Sequence, residues 1–394
     1  MTFDHYLIFL KMKKIGLLLP KSTYYTTIGF DLFEGIKSGL KQIECDDIKI
    51  VTENIGFGAD KQQCYRSAEK LLLDESVDIV IAYIGHRTAQ LLRPLFLAAN
   101  KILIVLDAGA NMPQEWSVCP NIIYHSLHNS LGASFSAQLS VKKGYKTGGM
   151  VTGYYDGGYL HTYSISKSFE HAGGGINFNH ATGYKEEDFT MEPLSKHLDL
   201  YPESALLSLF SGDYVQWYFE KVKFLFGETN LPIFLSPFGL EETMLKKSVH
   251  PSNNIFGIAA WSKEIDNDEN KLFIKQMDSA GKIPNLFSLL GWESTVLIQK
   301  VLTLLEINNN NITAVINDLD SFEFNSPRGL VTFHSKYNHT LAPLYEVSVI
   351  SDENGNCDLK IDAVIENTLD SFEELYNQEI GEINSAWYNS YVCI

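Results

Sequence analysis

The chain is poor in several things, and each shortage closes off a class of function. Its 394 residues contain five cysteines, Cys45, Cys64, Cys119, Cys357 and Cys393. The number is odd and no C-x-x-C pair occurs, so neither a disulfide framework nor a zinc site is expected. Basic charge is also scarce: 31 Lys plus Arg against 48 Asp plus Glu leave a net charge of −17. Such a surface repels phosphate backbones and anionic headgroups, which argues against nucleic-acid and membrane-surface binding. No apolar run approaches the roughly 20 residues that span a bilayer, so no membrane insertion is expected.

Targeting and catalytic signatures are missing as well. The apolar patch Tyr6–Leu10 follows Asp4 and precedes the lysines, the reverse of a secretory signal. With the strand-like IGLLLP directly after Lys14, Met12 reads as the start and a cytoplasmic protein is expected; a start further upstream would instead leave a periplasmic one open. Gly281-Lys282 lacks the upstream glycine of a phosphate loop. No G-x-G-x-x-G follows a strand, and neither G-x-S-x-G nor H-E-x-x-H occurs. His125 and His128 form an H-x-x-H without a third ligand, and Gly173–Gly175 reads as a helix stop. Catalytic residues, metal and cofactor are therefore all expected to be none.

What the chain does have is core material and a regular alternation. Hydrophobic residues make up 45% and charged residues 20%, enough for two cores. The apolar segments 14–20, 48–54, 77–83 and 101–107 alternate with helical spacings at 29–43, 61–74 and 87–100. After the strand-like 122–126 the pattern restarts, with helices at 129–144, 164–173 and 213–227 between strands at 147–153, 176–184, 204–210 and 231–237. A further strand at 254–261 and a long helix at 285–306 follow. Continuous apolar strands between amphipathic helices signal parallel sheets covered on both faces, about five strands in each of two units. Residues 366–382 carry Glu and Asp on an amphipathic pattern, either a solvated helix face or an interaction tail.

Eight stretches in order over about 14–350, among them IGLLLPKSTYYTTIGFDLFEGIKSGL, VDIVIAYIGHRTAQLLRPL, DGGYLHTYSISKSFEHAGGGI, LPIFLSPFGLEE and SPRGLVTFHSKYNHTLAPLYEVSVI, resemble the branched-chain amino acid (Leu/Ile/Val) binding-protein group of ABC-transporter receptors. The resemblance implies a type I periplasmic-binding fold: α/β, with two Rossmann-like lobes built on parallel sheets and joined by a three-crossover hinge. Lobe one would comprise 12–126 plus 258–334. Lobe two would comprise 127–257 plus 335–394, with an acidic C-terminal extension from about 353.

Open parallel sheets bind ligands outside the carboxyl ends of their strands. The strand-end loops and the positions matched to the family give the candidate ligand contacts Ser22, Tyr25, Gly85, His86, Arg87, Gly109, Ala110, Asn111, Tyr159, Phe210, Ser211, Phe238, Trp261 and Glu293. Several of these, the aromatics above all, are equally readable as core or hinge packing. The family's amino acid recognition is only partly kept. Gly85 and His86 stand where a Ser-Ser pair binds the carboxylate, and Phe238 stands where an acid binds the ammonium. Burying an ammonium without a partner is costly, so the expected solute lacks one and carries an apolar or planar part, with Arg87 or a protonated His86 for any carboxylate. The function expected is non-enzymatic binding of an amino-acid-like, amide or aromatic or carboxylate solute, the two lobes closing on it, with an ABC permease as partner. The alternative is a cytoplasmic ligand sensor or docking scaffold with a regulatory partner.

Overall fold

The computed structural model describes residues 12–45, 47–111, 117–227, 229–378 and Tyr391. The chain first lays down β1 (Lys14–Leu19), α1 (Ile28–Gln42), β2 (Lys49–Asn54), α2 (Lys61–Leu73), β3 (Ile79–Tyr83), α3 (His86–Ala99), β4 (Ile102–Asp107) and β5 (Ile122–Ser126). It then crosses to a second unit of α4 (Asn129–Lys142), β6 (Thr147–Thr152), α5 (His161–His171), β7 (Gly175–Ala181), α6 (Glu192–Leu200), β8 (Ala205–Leu209), α7 (Asp213–Phe226), β9 (Ile233–Leu235), α8 (Glu242–Leu245) and β10 (Ile255–Ala259). Back in lobe one come α9 (Asp268–Ser279), α10 (Leu286–Ile307), α11 (Ile312–Leu319), β11 (Glu323–Ser326), β12 (Gly329–His334) and β13 (His339–Leu341). The chain ends in lobe two with β14 (Leu344–Ser351), β15 (Cys357–Ile365) and α12 (Leu369–Asn377).

Two sheets result, in the orders β11-β12-β13-β5-β4-β3-β1-β2 and β15-β14-β10-β9-β8-β6-β7. Every residue of β3 and β4 is buried, as expected of strands covered on both faces by helices. The strands β1 to β5, and likewise β6 to β10, pair in parallel among themselves. The sheets are larger than five strands each because β13, parallel to β5, and the antiparallel β12 and β11 extend the first, and β14 and β15 extend the second antiparallel. The third crossover also lies later than about 335: His339–Leu341 still pairs with β5 and β12, so the chain leaves lobe one at Ala342–Pro343.

Lobe one is faced by α1 packed on α10. A Cβ at Gly35 would collide with the Ser288 carbonyl, and one at Gly291 with the Leu32 carbonyl, so backbones meet where side chains would normally intervene. The start of α10 is fixed by a capping box, in which Asn285 Oδ1 accepts from the backbone N–H groups of Phe287 and Ser288 and the Ser288 hydroxyl accepts from the Asn285 N–H. Within the amphipathic pattern at 366–382, Leu369–Asn377 forms α12, with Phe372 and Leu375 buried, while 379–382 lie outside the described residues; Phe372 packs on His128, Tyr337 and His339. Among the described residues no helix is long and apolar enough to cross a membrane, and no group of three side chains could hold a metal ion. Cys45, Cys64, Cys119 and Cys357 are free thiols, while Cys393 lies outside the described residues.

Candidate functional site

The carboxyl ends of the two sheets face one another, and the lobes touch there. The Gly212 N–H of lobe two donates to the Tyr25 hydroxyl of lobe one at 3.0 Å. Asn111 Oδ1 and the Ala110 carbonyl of lobe one accept from the N–H groups of Leu160 and His161 at 2.9 and 3.1 Å. Tyr24 lies edge-on against Tyr155 and Tyr214. Gly109 makes this loop possible: its φ is +67°, and a Cβ there would press on the backbone of His128. The cleft is closed.

Inside it lies an aromatic ring from the far end of the chain. Tyr391 is fully buried and stacks on Phe238 with ring centroids 3.6 Å apart and planes 12° from parallel. Phe238 is presented by a 3₁₀ turn, Pro237–Leu240, that directly follows β9. Tyr25 approaches the same ring edge-on and Tyr159 at a tilt, with centroids at 6.4 and 5.5 Å.

The polar atoms of Tyr391 are matched from both lobes. Ser22 Oγ accepts from the N–H groups of Tyr24 and Tyr25, which fixes its position, and donates to the Tyr391 carbonyl at 2.9 Å. The Tyr391 N–H donates to the Tyr159 hydroxyl at 3.0 Å. Asn129 Nδ2 donates to the Tyr391 hydroxyl at 2.5 Å, and that hydroxyl in turn serves the Asp156 carboxylate.

A further layer orients these groups. Asn129 Nδ2 also donates to His161 Nδ1 at 2.8 Å, and His161 Nε2 lies 2.9 Å from the Asp156 carbonyl. Burial pushes the His161 pKa down to about 3, so the ring is neutral; its one proton is on Nε2, donated to that carbonyl, which leaves Nδ1 to accept from Asn129. Ser211 Oγ donates to Asp156 Oδ2 at 2.7 Å. Burial pushes Asp156 up to about 7, against the pull of the Ser211 and Tyr391 hydrogen bonds. The arrangement offers a flat apolar face, a donor and an acceptor for one hydroxyl, and two hydroxyls at the opposite end of the ring.

Of the residues expected from sequence, Ser22, Tyr25, Tyr159 and Phe238 converge on this ring, and Ser211 stands one layer behind Asp156. Gly109, Ala110 and Asn111 form the clasp between lobes. Gly85 precedes α3 and His86 and Arg87 open it; burial, Arg87 and His339 push buried His86 down to about 3, so it offers no charge to a carboxylate. The remaining three have packing roles. Phe210 stacks on Tyr218 at 4.3 Å within lobe two. Trp261 donates from Nε1 to Asn270 Oδ1 at 2.8 Å and packs on Phe273. Glu293 meets Arg328 at 2.7 Å and His125 at 3.0 Å, all three buried; burial raises its pKa, but the Arg328 charge and the bonds from His125 and Arg328 prevail and hold it at about 2.

Sequence reading missed Asn129 and Tyr391 and did not single out Asp156 within its loop. Asp156 begins the turn that carries Tyr159, which was a usable signal. Asn129 opens α4 just after the first crossover, a second one. Tyr391 carries none, since nothing local marks a terminal residue for insertion into a cleft formed hundreds of positions earlier.

The model of the family described as periplasmic binding protein matches residues 13–355. No curated protein sequence matches the chain significantly. Among solved structures, an ABC transporter substrate-binding protein from Sphaerobacter thermophilus superposes with a TM-score of 0.77 at 17% identity, covering 90% of this chain and 98% of that one. A solute binding protein of an ABC transporter from Rhodopseudomonas palustris HaA2, in complex with p-hydroxybenzoic acid, gives 0.74 at 15% identity, covering 90% and 97%. A leucine binding protein from Thermotoga maritima gives 0.64 at 13% identity, covering 90% and 99%.

Proposed function

Because the chain belongs to the periplasmic binding protein family, we propose that it is a non-enzymatic receptor that closes its two lobes on a planar aromatic solute without an ammonium group and presents it to an ABC permease. The observation that carries this reading is the near-parallel stack on Phe238 of a ring buried between the lobes. Offset aromatic stacking adds about 0.5–1.5 kcal/mol beyond area burial, and Phe238 stands where the amino acid receptors are expected to carry an acid. The complex of the Rhodopseudomonas palustris protein with p-hydroxybenzoic acid is in keeping with it. Glu241, buried three residues beyond Phe238, already accepts from Thr243 and Met244, an arrangement that caps α8.

The test is a thermal-shift series with benzoate, 4-hydroxybenzoate and leucine, followed by small-angle scattering. A solute at 100 times its Kd stabilises by about 2.7 kcal/mol, and closure compacts the particle. The benzoates should act and leucine should not, and Phe238→Glu should reverse that preference. Tight leucine binding that survives Phe238→Ala would sink the reading.

Delivery to a permease is consistent with an extracytoplasmic place. A cytoplasmic sensor of the same solute is the second reading, and the four free thiols favour it. Fusing the native N-terminus to a reporter that works only after export separates the two.

A further inference from the structure

We propose that Tyr391 is a built-in occupant of the ligand cleft: a tethered para-substituted phenol that a free phenol must displace before the receptor can load. The inference rests on the receptor reading above and narrows its solute to phenols whose para arm carries hydrogen-bonding atoms.

Three features set Tyr391 apart from a residue that merely fills a core. Its partners are remote, 369 positions away for Ser22 and 262 for Asn129. Its N–H, carbonyl and hydroxyl are each met by a side chain of the strand-end loops or of the adjoining start of α4, where an ordinary core residue would spend its backbone groups on a helix or a ladder. Those side chains come from both lobes, so the residue bridges the surfaces that must part for a solute to enter. A ring flanked at one end by a hydroxyl between Asn129 and Asp156, and at the other by acceptor and donor atoms facing Ser22 and Tyr159, is the footprint of a ligand. The chain supplies its own.

Tethering makes this occupancy effective. A group of the same chain competes for the cleft intramolecularly, at an effective concentration that does not fall on dilution, so even a weak intrinsic contact fills the cleft most of the time. A free ligand then sees its affinity reduced by the fraction of molecules whose cleft is vacant. The device sets a threshold: dilute or non-phenolic aromatics leave the tail in place, and a better-matched phenol replaces it.

The experiment uses the full chain with N-acetyl-L-tyrosinamide and 4-hydroxyphenylacetate as probes, and benzoate and leucine as controls. Calorimetry should give at least about tenfold tighter binding of both probes to Tyr391→Ala than to the wild type, by the occupancy argument above. Tyr391→Phe, which keeps the ring and loses the hydroxyl, should fall between them. In unliganded wild-type protein the Tyr391 amide should be protected from hydrogen exchange, and saturation with either probe should release it. Equal affinities in wild type and Tyr391→Ala overturn the proposal. So does a wild-type Tyr391 amide that exchanges at the free-chain rate, a result that needs no variant to fold. Benzoate binding to Tyr391→Ala while both phenols fail would leave the receptor reading standing and sink this one, and leucine binding in their place would sink both. If nothing binds any variant and the amide stays protected, the receptor reading falls too and Tyr391 is a fixed plug.

Discussion

Glu293 and Asp156 are both fully buried carboxyl groups in hydrogen-bond networks, and they differ in where their partners come from. Glu293 on α10 is held by Arg328 and His125, all within lobe one. Its partners cannot leave without unfolding the lobe, and the Arg328 charge outweighs burial to keep it ionised. Asp156 in lobe two has one partner of its own lobe, Ser211, and one brought by the chain end, Tyr391. No cation offsets its burial, so its pKa rises. A buried acid whose partners are all architectural is cement; one whose partner arrives on a terminal segment is a socket. The same residue type serves both ends, and the origin of the partners tells them apart.

The largest effect should come from breaking the cement. Arg328→Met leaves Glu293 buried and uncompensated, which costs about 3–5 kcal/mol, readable as a lower urea midpoint at an unchanged slope. A loss below about 1 kcal/mol would mean that Glu293 protonates or relaxes toward water.

Next comes the pH signature, where the two acids should have opposite signs. Glu293 has a folded pKa of about 2, below its unfolded value, so its stabilisation is present at neutral pH and is lost as pH falls through the range from about 4.5 to 2. Asp156 has a folded pKa of about 7, above its unfolded value. The fold keeps a proton there that the unfolded chain gives up, so stability from this group declines as pH rises from about 4 to 7, at most by about 1.4 kcal/mol per unit. Asp156→Asn removes the decline. Buried His86 and His128, both held near 3, titrate alike in the two proteins and cancel in the difference. A wild-type-minus-variant stability difference that stays flat from pH 4 to 7 would refute the socket description.

Smallest is Ser22→Ala. It removes the donor to the Tyr391 carbonyl and the acceptor for the N–H groups of Tyr24 and Tyr25. The cost should be about 0.5–1.5 kcal/mol, and the same change in Tyr391→Ala should cost less, because without its ring residue 391 no longer holds its backbone carbonyl against Ser22. A double-mutant cycle on thermal unfolding reads that coupling.

The cement was less legible in the sequence than the lobes were. Apolar strands such as VDIVIAY and KILIVLD declare a covered parallel sheet because both faces are buried and no alternation is needed. Of the strands β11 to β15, only β13 falls on the wrong side of the boundary expected near 335. The span 329–341 pairs into lobe one by one strand antiparallel and one parallel, which no local pattern distinguishes from a start of lobe two. Glu293 looked like a cleft residue because the acid is visible and its partners, 35 and 168 positions away, are not. Phe238, Ser22 and Tyr159 could be named from the loops that carry them, and Asn129 only from its place just after the first crossover; Tyr391 joins the site only through tertiary contacts.

The glycine-mediated contact of α1 with α10 has a mechanical consequence. Backbone pressed on backbone leaves no compliant layer of side chains to shear, so this face of lobe one behaves as a stiff plate. The turn carrying Ser22 and Tyr25 runs straight into α1, with the Ile28 N–H donating to the Tyr25 carbonyl, and inherits that stiffness. The wall of the cleft bearing Ser22 and Tyr25 therefore keeps its shape whatever occupies the cleft, and local adjustment falls to the wall bearing Asn129, Asp156 and Phe238.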